Sequence, residues 1–441
     1  MIRLFAALGA IAFALVLTGV ALGQEKPDGG TVRGADKSGG GPCPGFNRAP
    51  WNDPNFFPLG VWCQDPKYAA QYKAAGINLY KGIWHPPGGT ILAQEIAPYE
   101  KTGLPLMCGQ TEGTLQYVRE HPEGVIVGWL QGDEPDNVQD PKRWPTLGWN
   151  TIEDINAAWP EHQKNSLEEW GKHGPPIPPK TIVAKYEQWR KNDPTRPILL
   201  NFNPGAAWEG FLGRGCRTGK VEDYAQYMKG CDLASFDIYP VTDATHKAIT
   251  GKLWYLARGV ENLRKWNGDQ KPVWTCIECT HIDNENVLPS PDQIRTEVWM
   301  ALIAGCRGID YFCHEFKPKH NGAGLLSHPE QLQAVTAINK QITALAPVLN
   351  SPTIPNGAAV KSSNAEVPVS VMVKTFAGTR YVFAVALRDQ ETTATFTLKD
   401  TGDAVAEVLG ENRSVAVKGG LLADKFKGYD VHLYKLKVPA P

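Results

Sequence analysis

Residues 125–135 read VIVGWLQGDEP, an apolar run followed directly by acidic residues and a proline. A short apolar run that ends in turn-forming residues predicts a buried strand, here Val125–Leu130. Seven similar runs lie between residues 57 and 313, and most are followed by an amphipathic stretch that predicts a helix. The other predicted strands are Phe57–Trp62, Ile77–Lys81, Leu104–Cys108, Ile198–Phe202, Leu233–Ile238, Val273–Ile277 and Ile309–Cys313.

Eight strands that alternate with helices predict an α/β fold, a closed (β/α)8 or TIM barrel. The alternative is an open doubly wound sheet, which would carry a glycine-rich phosphate loop after an early strand. The nearest match to such a loop, GCRTGKV at 215–221, has the wrong spacing and no final Ser or Thr. The barrel is therefore the favoured prediction.

After about residue 350 the hydrophobic period changes to two, as in Val369-Val371-Val373 and Tyr381-Phe383-Val385. This alternation predicts a small antiparallel β-sandwich domain over 351–441, with the catalytic barrel over 51–350. Residues 24–50 are rich in Gly, Pro and charge, which indicates a flexible linker.

The N-terminus carries Arg3, an apolar run from Leu4 to Leu22 and small residues near position 23. This pattern predicts a signal peptide over 1–23 and a secreted or periplasmic protein without stable membrane insertion after cleavage. A single membrane anchor is the alternative, because the run approaches spanning length.

The formal net charge is -1, from 45 basic and 46 acidic residues. This balance disfavours nucleic acid and anionic membranes as partners. Nine cysteines permit disulfides in an exported chain, but the pairing is not readable. The lone Cys276-x-x-Cys279 pair, with His281 nearby and Cys313-His314 later, lacks the spacing of a zinc site, so we expect no metal and no cofactor.

In enzymes with this barrel fold, the residues just after the C-terminal end of each strand form the catalytic site. Glu134 follows the fourth predicted strand and Glu278 the seventh, while no Ser or Cys nucleophile lies beside a base. Polar residues that follow other strands are candidates for substrate binding. They are His85, Gln110, Asn203, Asp237, Tyr239, His314 and Glu315.

Two carboxyl groups facing each other across the mouth are what glycosidic cleavage needs. One must hold a proton for the leaving oxygen, and the other must be ionised. We therefore predict Glu134 and Glu278 as catalytic residues acting on an oligo- or polysaccharide. A salt bridge holding the strand end is the alternative for Glu278, and Glu315 is its rival as second carboxylate.

The segments GWLQGDEP (128–135), PVWTCIE (272–278) and DIYP (237–240) resemble the strand ends of the clan A glycoside hydrolases. The resemblance extends over roughly residues 55 to 441, through RGIDYFCH (307–314) and the C-terminal YDVHLY (429–434). It implies a retaining (β/α)8 enzyme with an acid/base Glu after strand four, a nucleophilic Glu ending strand seven and a Tyr that contacts the nucleophile. By this resemblance Glu134, Glu278 and Tyr239 take those roles.

One residue departs from the clan pattern. Asp133 stands where the clan usually has an Asn, and an ionised Asp can accept but not donate a hydrogen bond. Adjacent Asp and Glu also resemble the substrate-assisted N-acetylhexosaminidases, in which the Asp orients the acetamido group. A carbohydrate-binding barrel without catalysis is a further alternative, since fold does not fix function.

The insertion Asp136–Lys180 is long for a βα loop and carries several tryptophans. Long ordered loops at the catalytic face often shape substrate binding. Trp144 and Trp149 are accordingly predicted to stack on sugar rings, with a small core inside the loop as the alternative.

Overall fold

The computed structural model describes residues 41–84, 96–170 and 174–437. The predicted signal peptide and the candidate His85 lie outside the described residues. Among the described helices, none combines the length and the apolar character needed to cross a membrane.

The first eight strands close into a parallel barrel in which each strand pairs with the next and β8 pairs with β1. This confirms the predicted (β/α)8 barrel. The strands begin or end at most three residues from their predicted bounds. They are β1 Leu59–Trp62, β2 Leu79–Lys81, β3 Leu106–Cys108, β4 Ile126–Asp133, β5 Ile198–Phe202, β6 Leu233–Phe236, β7 Val273–Glu278 and β8 Ile309–Phe312.

Helices follow most strands and cover the outside of the barrel. They are α1 Ala69–Ala74, α2 Ala97–Glu100, α3 Glu112–Glu120, α4 Ile152–Ala158, α5 Pro179–Asn192, α6 Glu222–Tyr227, α7 Tyr255–Trp266, α8 Pro291–Ala304 and α9 Pro329–Asn350. The start of α8 is fixed by Ser290, whose side chain accepts from the backbone N–H of Gln293 in a capping box.

The amino end of the barrel is filled by large apolar side chains. One buried cluster contains Cys43, Trp51, Leu79, Met107, Val127, Leu199, Leu233 and Trp274. Trp51 donates from Nε1 to the carbonyl of Val127 at 2.7 Å. This layer is a packed core, as expected for a barrel of eight strands.

Part of the predicted flexible linker packs on this layer. Cys43 is 1% exposed, and Arg307 donates from Nη2 to the carbonyl of Gly41 at 2.7 Å. Residues 41–43 are therefore buried against the barrel, whereas the sequence predicts a flexible linker up to residue 50. Its Gly and Pro content suggested a solvated segment, but the apolar Cys43 anchors it to the barrel.

The C-terminal domain is antiparallel, as predicted. Its strands are β9 Ala358–Ser362, β10 Val369–Phe376, β11 Thr379–Ala386, β12 Thr392–Leu398, β13 Ala404–Val408, β14 Arg413–Lys418, β15 Leu421–Phe426 and β16 Val431–Lys437. They form one continuous sheet in the order β10-β11-β16-β13-β14-β15-β12-β9, which curls around its own apolar core.

This curled sheet is attached to the barrel through α8. Thr296 donates from Oγ1 to the carbonyl of Tyr429 at 2.9 Å, and the Trp299 ring lies 5.4 Å from the Phe383 ring. Phe383 belongs to the same buried cluster as the barrel helices. The two domains therefore share one apolar core at this contact.

Candidate active site

Glu134 follows the last residue of β4 in a left-handed conformation, with φ of 44°. Its N–H donates to the carbonyl of Asn201 at 2.9 Å, and its Oε2 accepts from Asn137 Nδ2 at 3.0 Å. A non-glycine residue with positive φ carries backbone strain, and such residues cluster at functional sites. The turn also breaks the strand alternation that would otherwise direct Asp133 and Glu134 to opposite sides.

Asn201 on β5 joins two aspartates at the mouth. Its Nδ2 donates to Asp133 Oδ1 at 2.9 Å and to Asp237 Oδ1 at 2.9 Å. Its Oδ1 accepts a hydrogen bond from the Ser235 hydroxyl. The carboxyl ends of β4, β5 and β6 thus carry one connected polar network that includes both aspartates.

A buried ion pair lies beneath this network. Lys81 Nζ donates to Asp310 Oδ2 at 2.7 Å and to Ser235 Oγ at 2.9 Å, and both charged side chains are 0% exposed. Gly60 on β1 leaves the space for Asp310, since a Cβ there would lie 2.1 Å from Asp310 Oδ1. Burial alone would lower the pKa of Lys81, but the adjacent Asp310 raises it, so Lys81 stays charged.

The mouth carboxyl groups have different proton affinities. Burial, reinforced by Asp237 and Asp133, raises the pKa of Glu134 well above its ordinary value. Burial and the neighbouring Asp133 raise the pKa of Asp237 to about 7. Burial also raises the pKa of Asp133, but the hydrogen bond from Asn201 and the charge of Lys81 oppose the shift. Of these three carboxyl groups, Glu134 therefore has the environment that most favours its protonated form, whereas Asn201 and Lys81 favour the ionised form of Asp133.

Glu278, the last residue of β7, is placed differently. Its side chain is 0% exposed. Its Oε1 accepts from Val241 N–H at 2.6 Å, and its Oε2 accepts from Thr242 N–H at 2.8 Å and Thr242 Oγ1 at 2.6 Å. Burial raises the pKa of Glu278 to about 7, and the neighbouring Glu297 of α8 is buried with it. These contacts tie the loop after β6 to β7.

The structure therefore brings Glu134 together with Asp133 and Asp237. The groups that act most strongly on the pKa of Glu134 are these two aspartates, whereas those acting on Glu278 are Thr242, Val241 and Glu297. The contacts of Glu278 agree with the alternative that it holds the strand end, here by hydrogen bonds to a loop.

We expect stability to fall as the pH rises from about 4 to 7. Asp237 and Glu278 have folded pKa values of about 7, above the unfolded values of about 4. The folded state therefore binds more protons in this window, so their favourable contribution is complete below pH 4 and is lost as pH approaches 7. Urea unfolding at pH 5 and pH 8 measures the difference. Glu278→Gln should flatten the dependence, and an unchanged slope in that variant would contradict the assignment.

Aromatic side chains form one wall beside the acidic network. Tyr239, which is half-buried, lies 5.3 Å from the Phe312 ring, and both belong to a cluster with Trp62. Burial, reinforced by Asp237, raises the pKa of Tyr239 well above its ordinary value. The Tyr239 hydroxyl is thus neutral next to the acidic groups, and flat rings suited to sugar contact lie beside them.

His314 lies at the same rim but is held by the barrel. Its Nε2 lies 3.1 Å from the carbonyl of Trp62 and 3.1 Å from Gln64 Nε2. Burial lowers the pKa of His314 to about 4, so the imidazole is neutral at physiological pH. Its ring packs 5.3 Å from Phe312. A neutral, ring-stacked histidine fits a wall of the site and not a proton-transfer group.

Two predicted binding residues, Gln110 and Asn203, make hydrogen bonds within the protein. Gln110 donates to the carbonyl of Trp189 at 3.1 Å and accepts from Asn192 at 3.1 Å, both on α5. Asn203 is 0% exposed and accepts from the Gly205 N–H at 2.7 Å at the start of a 3-10 turn. Both residues lie after strands, as predicted, and each side chain already has hydrogen-bond partners within the fold.

The tryptophans predicted to stack on sugar are also structural. Trp144 is 6% exposed and Trp149 is 7% exposed, in a cluster with Ile155, Trp159 and Trp170. Trp144 Nε1 donates to the carbonyl of Gln139 at 3.0 Å. The long loop thus buries both side chains in its own small core, which favours that alternative over stacking on sugar rings.

Sequence reasoning missed Asn201, Ser235 and Asp310 as parts of the site network. Each is a polar residue inside an otherwise apolar barrel strand, at a position where the side chain points inward. Buried polar groups need partners. A polar residue within an apolar strand is therefore the signal that would have found them.

Several solved structures share this architecture. The GH42 β-galactosidase Gan42B from G. stearothermophilus superposes with a TM-score of 0.54 at 10% identity, over 87% of this chain and 98% of that one. A catalytic mutant of Gan42B gives the same values. An α-amylase from Anoxybacillus matches with a TM-score of 0.48 at 9% identity, over 88% and 99% of the two chains.

No protein-family profile and no curated protein sequence matches the chain. At such low identity the structural likeness concerns the fold alone. It agrees with the strand order and with the presence of an additional antiparallel domain. The chain therefore has the fold of a GH42 β-galactosidase, a (β/α)8 barrel followed by an antiparallel β domain.

Proposed function

We propose that the chain is a glycoside hydrolase that acts on a β-linked oligo- or polysaccharide outside the cytoplasm. The proposal rests mainly on the position and surroundings of the Glu134 carboxyl group. This group lies at the carboxyl end of the barrel strands, where burial and the neighbouring Asp237 and Asp133 raise its pKa well above the ordinary value, while Asn201 donates a hydrogen bond to Asp133. Glycosidic cleavage requires one carboxyl group that donates a proton and a second that is ionised, both close to the same glycosidic bond.

In this proposal Glu134 protonates the leaving oxygen as the glycosidic bond breaks. Positive charge then develops at the anomeric carbon and is stabilised by an ionised carboxylate. Asp133 suits that role because the hydrogen bond from Asn201 and the charge of Lys81 favour its ionised form. Once the leaving group departs, Glu134 is deprotonated and can accept a proton from water.

Double displacement by Glu278 is the expectation from the sequence. It requires the Glu278 carboxylate to reach the anomeric carbon, although its side chain is fully buried and both oxygens are held by Val241 and Thr242. The adjacent Asp133 and Glu134 instead favour a second candidate, substrate assistance, in which the acetamido oxygen of an N-acetylated sugar is the nucleophile. Asp133 would then orient the acetamido group.

Isosteric variants separate these mechanisms. We expect Asp133→Asn to lower turnover much more than Glu278→Gln, on whichever aryl glycoside the enzyme accepts. The first panel should contain β-galactosides, because Gan42B is a β-galactosidase, together with β-xylosides and β-N-acetylglucosaminides. Inhibition by a thiazoline would support substrate assistance. Trapping with a 2-fluoro glycoside, followed by peptide mass spectrometry, would identify a carboxylate nucleophile.

The outcomes also test the proposal as a whole. A covalent adduct on Glu278 would restore double displacement by that residue and overturn the role given to Asp133. Sugar binding without turnover of any glycoside in the panel would favour the binding-protein alternative. Loss of activity in Glu278→Gln with a normal unfolding curve would likewise contradict a purely structural Glu278.

A further inference from the structure

Three side chains with metal-binding atoms meet beside the barrel mouth. His281 lies in the loop after β7, Glu315 lies in the loop after β8, and His328 directly precedes α9. One ligand atom from each lies within 4.8 Å of the others. His328 Nε2 is 2.5 Å from Glu315 Oε2, and these side chains are 20% and 13% exposed. All three belong to the carboxyl rim of the barrel.

The tautomer of His281 is set by its neighbours. Its Nδ1 lies 2.8 Å from the carbonyl of Val287 and 3.2 Å from the carbonyl of Asn284. Both partners are acceptors, so Nδ1 must carry the hydrogen, which leaves Nε2 with its lone pair. A backbone carbonyl on one imidazole nitrogen is the usual support for a histidine that binds metal through the other nitrogen.

The loops that carry these residues are fixed to each other. The carbonyl of His281 accepts from the N–H of Phe316 at 2.9 Å and of Lys317 at 3.3 Å. Glu315 and Asn321 exchange two backbone hydrogen bonds of 2.9 Å each. The backbone therefore holds His281 and Glu315 at neighbouring positions before any ligand binds.

We propose that His281, Glu315 and His328 bind one divalent transition metal ion of the zinc class. Two imidazole nitrogens and one carboxylate oxygen suit zinc, whose bonds to N and O are about 2.0–2.2 Å long. Tetrahedral ligands would then lie about 3.4 Å apart, so small side-chain rotations close the site. When His328 Nε2 takes the metal, its hydrogen bond to Glu315 is broken, and the hydrogen on Nε2 moves to Nδ1 in a neutral ring or to solvent from a charged one.

This site is separate from the proposed glycosidase residues and does not depend on that function. Three protein ligands leave at least one coordination position for water. The ion would join the loops after β7 and β8 to the start of α9, and so stiffen one side of the mouth. Of its ligands, the sequence pattern around Cys276 and Cys279 included only His281, because Glu315 and His328 lie far along the chain and meet it only in the fold.

The test is metal binding by the full chain. Metal is first removed from the protein with a chelator and by dialysis, and Zn²⁺ is then added. We expect the protein to bind one equivalent of Zn²⁺, measured by titration calorimetry and by elemental analysis of the reloaded protein. Co²⁺ should give the visible absorption of a four- or five-coordinate site. Zn²⁺ should raise the melting temperature, whereas Mg²⁺ and Ca²⁺ should not, because they prefer oxygen ligands.

Loss of a contact that only supports a metal ligand lowers metal affinity by about 10–100-fold. Glu315→Gln and His281→Ala each remove a ligand, so we expect them to lower the affinity for Zn²⁺ by at least as much. His320→Ala is the matched control, because His320 is exposed in the same loop and outside the cluster. Circular dichroism of each metal-free variant checks the fold. Absence of a Zn²⁺ equivalent in the wild type, or equal loss in the His320 variant, would overturn the proposal.

Discussion

Glu134→Gln is expected to lower kcat/KM on an unactivated glycoside by about 10²–10⁴, the range contributed by a positioned general acid. Gln has the shape of Glu and can still accept from Asn137, but it has no proton to give to the leaving oxygen. The measurement is steady-state kinetics on the best substrate of the panel. The loss in kcat/KM measures how much proton donation by Glu134 contributes to the reaction, and the raised pKa of Glu134 is what keeps that proton available.

Leaving-group ability provides the control. An aryl glycoside whose phenolate departs without protonation should lose much less activity in Glu134→Gln than an alkyl glycoside does. The alkaline limb of the kcat/KM profile, which reports deprotonation of the acid, should also disappear. Equal losses on both substrates, with the pH profile unchanged, would remove Glu134 from the role of acid.

Lys81→Met is expected to destabilise the fold by about 3–5 kcal/mol, the cost of leaving one charge of a buried ion pair without its partner. Asp310 would keep its burial but lose the contact of 2.7 Å, and Ser235 would lose a donor. The free energy of unfolding in urea, measured at neutral pH, gives the value. Asp133 and Asp237 should also become harder to ionise, because Lys81 lowers the pKa of both.

A surface pair is the matched control for this prediction. Lys418 and Asp403 form an ion pair of 3.2 Å in which the side chains are 77% and 65% exposed. Lys418→Met should leave the unfolding curve unchanged within error, since exposed pairs contribute little. The double variant Lys81→Met/Asp310→Leu should recover much of the lost stability. If Lys81→Met unfolds like the wild type, the buried pair does not have the proposed role.

The barrel could be predicted from the sequence because its signals are local. A mainly apolar run such as Ile198–Phe202 is buried along its whole length, and the amphipathic stretches between such runs indicate helices. The position of Glu134 followed from the same reasoning, since the residue after a barrel strand lies at the mouth. Even the strand bounds needed only small corrections.

The partners of these residues could not be predicted in the same way. Trp144 and Glu278 each follow a pattern that permits a functional or a structural role, and the pattern does not show which side chains will pack against them. Trp144 packs against residues of its own loop, and Glu278 is satisfied by Val241 and Thr242 from another strand's loop. Such hydrogen bonds depend on distances between segments that are far apart in the chain.

The sequence by itself determined the (β/α)8 barrel, the antiparallel C-terminal domain and the place of Glu134, because hydrophobic period and strand ends are properties of short segments. Only the tertiary structure decided that Asn201 joins Asp133 to Asp237 and that His281 meets Glu315 and His328. Closing the barrel brings strand ends together around a circle. Which polar groups then meet is fixed by geometry across strands and not by neighbours in the chain.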